Sequence, residues 1–137
     1  MSSSPDAIVL DTGVLLDVLD GKNENLYNKI VHNSVDAYIS RMSLTELSYV
    51  VYRKIGVESG RRVVDDLLAS NLLKIVSHEG VHDLAAELKC RYSISIGDCY
   101  SLGLAKLMGL SVYFRPEKEI IMILEKLREE CDVVITG

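Results

Sequence analysis

Three acidic residues of this chain lie where an apolar run gives way to a helical pattern. Asp11 directly follows the run from Ala7 to Leu10. Glu46 follows the run from Ala37 to Ser40 after a short turn, and Asp98 opens a helical stretch. In an open parallel α/β sheet, the loops after the carboxyl ends of the strands meet at one edge. Carboxylates that meet there repel each other unless a cation joins them, so the pattern predicts a hard-metal site and metal-assisted chemistry on phosphates.

Each of these carboxylates also has a purely structural interpretation. Asp11 suits the N-cap of the helix that follows it, and Asp98 suits the first turn of its helix, where negative charge complements the dipole. Glu46 occupies the last position of a capping box that begins at Ser43. Taken singly, the structural and functional interpretations are equally good. Three acids at one predicted edge favour the metal site.

The elements that must position these acids alternate between strand and helix. Short β-branched runs predict strands buried on both faces of a sheet, and apolar residues at helical spacing predict the helices between them. Two consecutive helices, 43–54 and 59–69, are joined at Gly56 and form an αα-hairpin before the third strand. The alternation predicts an α/β fold with a parallel sheet and right-handed crossovers. The predicted strands are 7–10, 37–40, 72–76, 111–114 and 132–135, and the remaining predicted helices are 14–19, 23–32, 81–91, 98–108 and 116–130.

Composition limits the classes of function. The 137 residues suffice for a single domain, 1–137, around one hydrophobic core. The formal net charge is -5, whereas a protein that binds nucleic acid through its overall charge is basic, so any such contact requires a local cationic patch. Residues 1–5 lack the features of a signal peptide, and no apolar stretch reaches the ~20 residues that span a bilayer. We therefore expect a cytoplasmic protein that does not bind membranes.

A second metal-binding pattern lies in the middle of the chain. The segment His78-Glu79-Gly80-Val81-His82 matches H-E-x-x-H, in which two histidines on one helix bind Zn²⁺ and the glutamate activates water. Gly80 weakens a helix at this point by ~1 kcal/mol, and no further histidine follows His82. A zinc metalloprotease is therefore a remote alternative, and a chance match is the favoured interpretation.

Three segments resemble the sequence blocks of a PIN domain in their order and context. They are Asp11-Thr12-Gly13-Val14-Leu15-Leu16, Ser43-Leu44-Thr45-Glu46-Leu47 and Ile94 to Ala105. The resemblance covers nearly the whole chain and is closest to the small VapC-type toxins of toxin–antitoxin pairs. It implies a three-layer α/β/α sandwich with strand order 3-2-1-4-5 and Mg²⁺- or Mn²⁺-dependent endoribonuclease activity. It also implies that Asp11, Glu46 and Asp98 are the metal ligands and catalytic residues, with Thr12 supplying a nearby hydroxyl.

One block departs from the family pattern. Most members carry a fourth acid shortly after strand four, but Pro116 occupies the aligned position here. Glu117 is the expected substitute as a metal ligand and Glu119 is second, although both also suit the start of a helix. A weakened fourth position would leave a poorly active or metal-selective enzyme. Arg115, which follows strand four, and Arg41 are the candidate cations for binding RNA.

A module that binds partners without catalysis is the remaining alternative. The αα-hairpin carries more apolar residues than one sheet face needs, among them Tyr49, Tyr52, Val63 and Val64. The family resemblance implies that such surfaces form homodimers and hold the C-terminal segment of a VapB-like antitoxin. Metal-dependent RNA cleavage that is lost in Asp11→Asn, with dimerisation intact, would distinguish the enzyme from the binding module.

Overall fold

A computed structural model describes residues 6–137, and this part of the chain contains five strands and eight helices. Residues 1–5, for which the sequence predicts no signal peptide, lie outside the described residues. The strands are β1 (Asp6–Leu10), β2 (Val35–Ser40), β3 (Leu73–Val76), β4 (Ser111–Phe114) and β5 (Val133–Ile135). The helices are α1 (Thr12–Leu19), α2 (Glu24–Val31), α3 (Arg41–Ile55), α4 (Val57–Ala69), α5 (Glu79–Arg91), α6 (Ile96–Met108), α7 (Lys118–Met122) and α8 (Leu124–Glu130).

The strands form one parallel sheet in the order β3-β2-β1-β4-β5. β1 lies at its centre, and Ile8 is in register with Ala37 of β2 on one side and with Ser111 of β4 on the other. From β1 the chain adds β2 and β3 on one side, and it then crosses to add β4 and β5 on the other side. Open α/β sheets form clefts at the carboxyl ends of the strands where the strand order reverses in this way. The predicted α/β class and strand order are confirmed.

Alternate residues of β1 belong to two separate hydrophobic cores. Val9 is fully buried in a core formed with α5, α6, α7 and α8. Ile8 and Leu10 belong to a second core, formed with α1, α2 and α3. Successive side chains of a strand point to opposite faces of its sheet, so helices cover both faces and the fold is the predicted three-layer sandwich. Across residues 6–137, no helix combines the length and apolar character that crossing a membrane requires.

The αα-hairpin is present, but its first helix begins earlier than predicted. α3 starts at Arg41 because Ser40, the last residue of β2, is the N-cap: its Oγ accepts a hydrogen bond of 3.1 Å from the Ser43 N–H. The predicted capping box at Ser43 is therefore wrong, and Glu46 is not part of the N-terminal cap of α3. α3 ends at Ile55 and is capped by Gly56, whose φ of +88° is readily adopted only by glycine, and α4 follows at once.

The predicted long helix 116–130 is interrupted. Glu117 is the N-cap of α7, so Pro116 precedes the helix, and Ile123 separates α7 from α8 with a φ of -120°. β-branched residues lose side-chain freedom in a helix, and Ile120, Ile121 and Ile123 make this turn rich in them. The break accompanies the burial of both Ile120 and Leu127 in the same core.

Candidate active site

Asp11 directly follows β1, at the centre of the sheet's carboxyl edge. Its backbone N–H donates to the Tyr113 carbonyl of β4, which fixes it between two strands. Asp11 occupies the N-cap position of α1, as the structural interpretation predicted, but its side chain, which is 4% exposed, makes no capping hydrogen bond. Its Oδ1 instead accepts a hydrogen bond of 2.7 Å from the Ser101 hydroxyl of α6. Asp11 is therefore a buried acid that is hydrogen-bonded to a helix 90 residues further along the chain.

Glu46 reaches the same edge from α3. Its Oε1 accepts a hydrogen bond of 3.0 Å from the Thr12 hydroxyl, which belongs to the first turn of α1. A Cβ built on Gly97 would lie 2.6 Å from the same oxygen, so the missing side chain of Gly97 allows Glu46 to approach α6 closely. α1, α3 and α6 therefore meet around this carboxylate.

Asp98 lies in the first turn of α6, next to Gly97. Its backbone N–H donates to the Oγ of Ser95, the N-cap, over 3.1 Å, so the segment from Ser95 to Asp98 starts the helix. The side chain is 7% exposed. Burial raises the pKa of the Asp98 carboxyl, and the negative charges of Glu46 and Glu119 act in the same direction.

Glu117 brings a fourth carboxylate to this edge, while Glu119 remains exposed. Glu117 is half-buried at the N-cap of α7 and makes no capping hydrogen bond. A Cβ on Gly13 would lie 3.4 Å from its Oε1, which places it against the start of α1. Burial raises the pKa of Glu117, the charge of Asp98 adds to this, and Arg115 opposes it.

Asp11, Glu46, Asp98 and Glu117, which we call the acid cluster, share one electrostatic environment. The pKa of Asp11 rises from its ordinary 3.8 to about 7, first because the residue is buried and then because of the charge of Asp98. The charges of Glu117 and Glu46 raise it further, and the hydrogen bond from Ser101 partly opposes them. Carboxylates with raised pKa values are the groups whose charge a bound cation would stabilise.

Carboxylate oxygens are the donors that Mg²⁺ and Mn²⁺ prefer, so the acid cluster fits such an ion chemically. The carboxylate side chains do not, however, surround a common position that a metal ion could occupy. Within residues 6–137, no three His, Cys, Asp or Glu side chains are positioned to hold a metal ion together. Two members of the cluster are instead turned toward hydroxyl donors, Asp11 toward Ser101 and Glu46 toward Thr12. Metal binding would replace or rearrange these hydrogen bonds.

Of the two arginines predicted to bind substrate, Arg115 is largely engaged within the protein. Its Nε and Nη2 donate to the two carboxylate oxygens of Asp17 over 3.0 and 2.9 Å, and Nη2 also donates to the Gly13 carbonyl over 2.7 Å. This clamp ties the end of β4 to α1. Arg41 is exposed at the start of α3.

The H-E-x-x-H segment does not form a zinc site. His78 is the N-cap of α5 and lies outside the helix, with its Nδ1 accepting from the Gly80 N–H over 2.9 Å. The Nδ1 of His82 pairs with the Glu79 carbonyl over 2.8 Å. The pattern requires both histidines on one helix, and His78 lies outside α5, so the structure does not support the metalloprotease alternative.

Sequence reasoning missed Ser101 and Asp17. Ser101 lies three residues after Asp98, so it follows on the same face of α6, and that spacing was a usable signal. Asp17 is an acid within the otherwise apolar stretch from Val14 to Leu19. An acid in such a stretch needs a partner when it is partly buried, but the sequence does not identify Arg115 as that partner.

The sequence matches the family model described as PIN domain over residues 8–114. The protein therefore belongs to the PIN domain family, whose members are nucleases that generally use divalent metal ions. No curated protein sequence shows a significant match to it.

Several solved structures with the same fold are of toxin–antitoxin complexes. One is VapBC2 from Rickettsia felis bound to a DNA fragment from their promoter, with a TM-score of 0.72, 16% identity and coverage of 94% of this chain and 98% of the other. DNA-bound VapBC from Salmonella typhimurium gives a TM-score of 0.71, 16% identity and coverage of 95% and 98%. A toxin–antitoxin complex from Klebsiella pneumoniae gives 0.65, 18% identity and coverage of 93% and 95%. At these identities the likeness establishes the fold alone.

Proposed function

We propose that this protein is a metal-dependent endoribonuclease and the toxin component of a type II toxin–antitoxin pair. The observation that carries the proposal is the convergence of four carboxylates at the carboxyl edge of the sheet, where Asp11 and Asp98 are buried and Glu46 and Glu117 lie against α6 and α1. Burial and the charges of Asp98, Glu117 and Glu46 raise the pKa of Asp11 to about 7. Carboxylates collected at one edge repel each other, and a bound cation would relieve that repulsion. RNA as the substrate implies the cytoplasm as the compartment.

The residues of the acid cluster would have different roles. Asp11 and Asp98 would hold Mg²⁺ or Mn²⁺ directly, Glu117 would complete the ligand set, and Glu46 would serve as a ligand or as the base that orients the attacking water. The bound ion supplies an acidified water and stabilises charge on the phosphate. Thr12 positions Glu46 through its hydrogen bond of 3.0 Å. Glu119, which is exposed beside the cluster, adds negative charge that favours a bound cation.

RNA, an antitoxin and a second copy of the chain are the proposed partners. Arg41 is the cation best available to a phosphate, because Arg115 already binds Asp17. The exposed apolar residues of the αα-hairpin suit a protein contact: Tyr49 is 57% exposed and Val63 is 49% exposed. The neighbouring structures are of toxins with their antitoxins, which supports a VapB-like partner for this chain too.

A weakly active or inactive binding module is the second candidate, and two observations favour it. No group of three ligands is preformed in the described part of the chain, and Pro116 replaces the fourth acid of the family pattern. In this alternative the αα-hairpin remains the functional surface and the acid cluster is a remnant.

Cleavage of RNA with and without divalent metal tests the proposal. Wild-type protein should cleave single-stranded RNA in Mn²⁺ or Mg²⁺ and stop in EDTA, and Asp98→Asn should be inactive. The matched control is Asp65→Asn, which removes an exposed carboxylate of α4 and should cleave like the wild type. Equal cleavage by wild type and Asp98→Asn would point to a contaminant, and no cleavage by either would favour the binding module.

A further inference from the structure

One cleft contains Arg41, the proposed phosphate-binding cation, together with side chains that the function proposed above does not use. It has a volume of about 360 Å³ and is lined by Arg41, Val76, Ser77, His78, Glu79, Val81, His82 and Tyr100. Arg41 directly follows β2, and His78 comes two residues after the end of β3. The cleft therefore lies at the carboxyl edge of the sheet, on the β2–β3 side.

The cleft and the acid cluster share two helices. Arg41 is the first residue of α3, and Glu46 lies five residues further along the same helix. Tyr100 lies on α6 between Asp98 and Ser101, and the Ser101 hydroxyl contacts Asp11. Val9 of β1 is in register with Tyr38 of β2, so Asp11 and Arg41 follow neighbouring strands at the same edge. A flexible polyanion with one phosphate at the acid cluster would therefore reach this cleft on the β2 side of the edge.

The backbone fixes how the two histidines of the cleft can bind a ligand. The Nδ1 of His78 accepts from the Gly80 N–H, so the neutral ring carries its proton on Nε2 and presents a donor there. The Nδ1 of His82 faces the Glu79 carbonyl, which only accepts, so this Nδ1 carries the proton and the neutral ring presents Nε2 as an acceptor. Among the described residues, neither Nε2 is engaged by another protein group.

We propose that this cleft binds one nucleotide of the RNA strand, adjacent to the nucleotide held at the acid cluster. Arg41 binds the phosphate, the ring of Tyr100 stacks on the base, and the Nε2 atoms of His78 and His82 contact base or ribose groups. Single-strand binding sites combine a cation with an aromatic face in this way. The inference rests on the proposed function, because it takes RNA as the substrate.

Binding measured without metal tests the cleft separately from catalysis. The probes are fluorescein-labelled, single-stranded homopolymers of each of the four ribonucleotides, followed by anisotropy in EDTA. Tyr100→Leu keeps an apolar side chain but removes the stacking face, and it should weaken binding at least about fivefold. Arg41→Gln should reduce the slope of log affinity against log salt by about 0.7, which corresponds to one phosphate contact on a single strand.

Two further variants separate a binding role from a structural one. His78→Asn retains an N-cap acceptor for α5 but removes the Nε2 donor, so it should weaken RNA binding while leaving thermal stability unchanged. Arg61→Gln removes an exposed charge from α4, away from the cleft, and should bind like the wild type.

The outcomes for the cleft and for catalysis are distinguishable. The cleft assignment is overturned if the wild type binds none of the probes, if folded Tyr100→Leu and Arg41→Gln bind like the wild type, or if Arg61→Gln weakens binding as much as they do. If the cleft variants lose binding and the wild type cleaves no RNA in Mn²⁺, the cleft assignment stands and the nuclease proposal fails.

Discussion

Replacing Asp11 with asparagine should stabilise the protein toward alkaline pH while removing the proposed metal-dependent activity. In the unfolded chain the carboxyl ionises near 3.8, whereas in the folded protein its pKa is about 7. Between these values the folded protein retains a proton that the unfolded chain has released. Rising pH therefore lowers the free energy of unfolding over this interval. The stability associated with this group is complete below its unfolded pKa and is lost as the pH rises through the folded one.

The size of the effect follows from the shift. Each pH unit within the interval costs about 1.4 kcal/mol, so between about pH 5 and pH 8 the wild type should lose roughly 2.5 kcal/mol relative to Asp11→Asn. The amide does not ionise, and it can still accept the hydrogen bond from Ser101.

Urea denaturation in EDTA at several pH values measures this difference, with Asp65→Asn as the control for the loss of one surface charge. Mn²⁺ should raise the melting temperature of the wild type more than that of Asp11→Asn, since ligand binding to the folded state stabilises it. Stability–pH curves for wild type and Asp11→Asn that run parallel would refute the electrostatic reasoning. Normal RNA cleavage by Asp11→Asn would refute the assignment of Asp11 as a metal ligand.

Three other substitutions test the geometry around the site. Gly97→Ala should reduce RNA cleavage, because its Cβ would lie 2.6 Å from Glu46 Oε1 and displace that side chain; thermal denaturation should show stability unchanged or raised by up to about 1 kcal/mol. Arg115→Gln should lower the free energy of unfolding by about 1–2 kcal/mol in urea titrations, a value reduced for the partial exposure of its ion pair with Asp17. Gly103→Val should cost about 1–3 kcal/mol, measured in the same way, because a Cβ there already lies 3.2 Å from the backbone of α5. A stable, inactive Arg115→Gln, or a Gly103→Val as stable as the wild type, would contradict these assignments.

Local signals were sufficient to predict most of the element order. β4 and the end of α6 were predicted because Gly109, which adopts a left-handed φ of +67°, stops the helix immediately before an apolar run. The start of α3 was ambiguous, because Ser40 and Ser43 are both good N-cap residues. The choice between them depends on the path of the chain out of β2, which a local pattern does not encode. The interruption at Ile123 likewise depends on what α7 and α8 pack against.

The carboxylates could be predicted as a group, but their individual contacts could not. The hydrogen bond from Ser101 to Asp11 joins residues 90 positions apart, and that from Thr12 to Glu46 joins residues 34 positions apart. Such pairs are decided by the final packing of α1, α3 and α6. The prediction of a site at the sheet edge therefore rested on topology, whereas the orientation of each acid required the structure.

Residues 115–137 contribute both to the acid cluster and to the edge of the sheet. The family match ends at residue 114, yet the following segment contributes Glu117 to the acids and then supplies β5, which pairs with β4. Without β5, β4 would become an exposed edge strand whose unpaired backbone groups could pair with strands of other molecules. Truncation or loosening of this segment would therefore couple two defects, the loss of a carboxylate from the acid cluster and a tendency to self-associate, and a screen that reports only lost activity would confuse them.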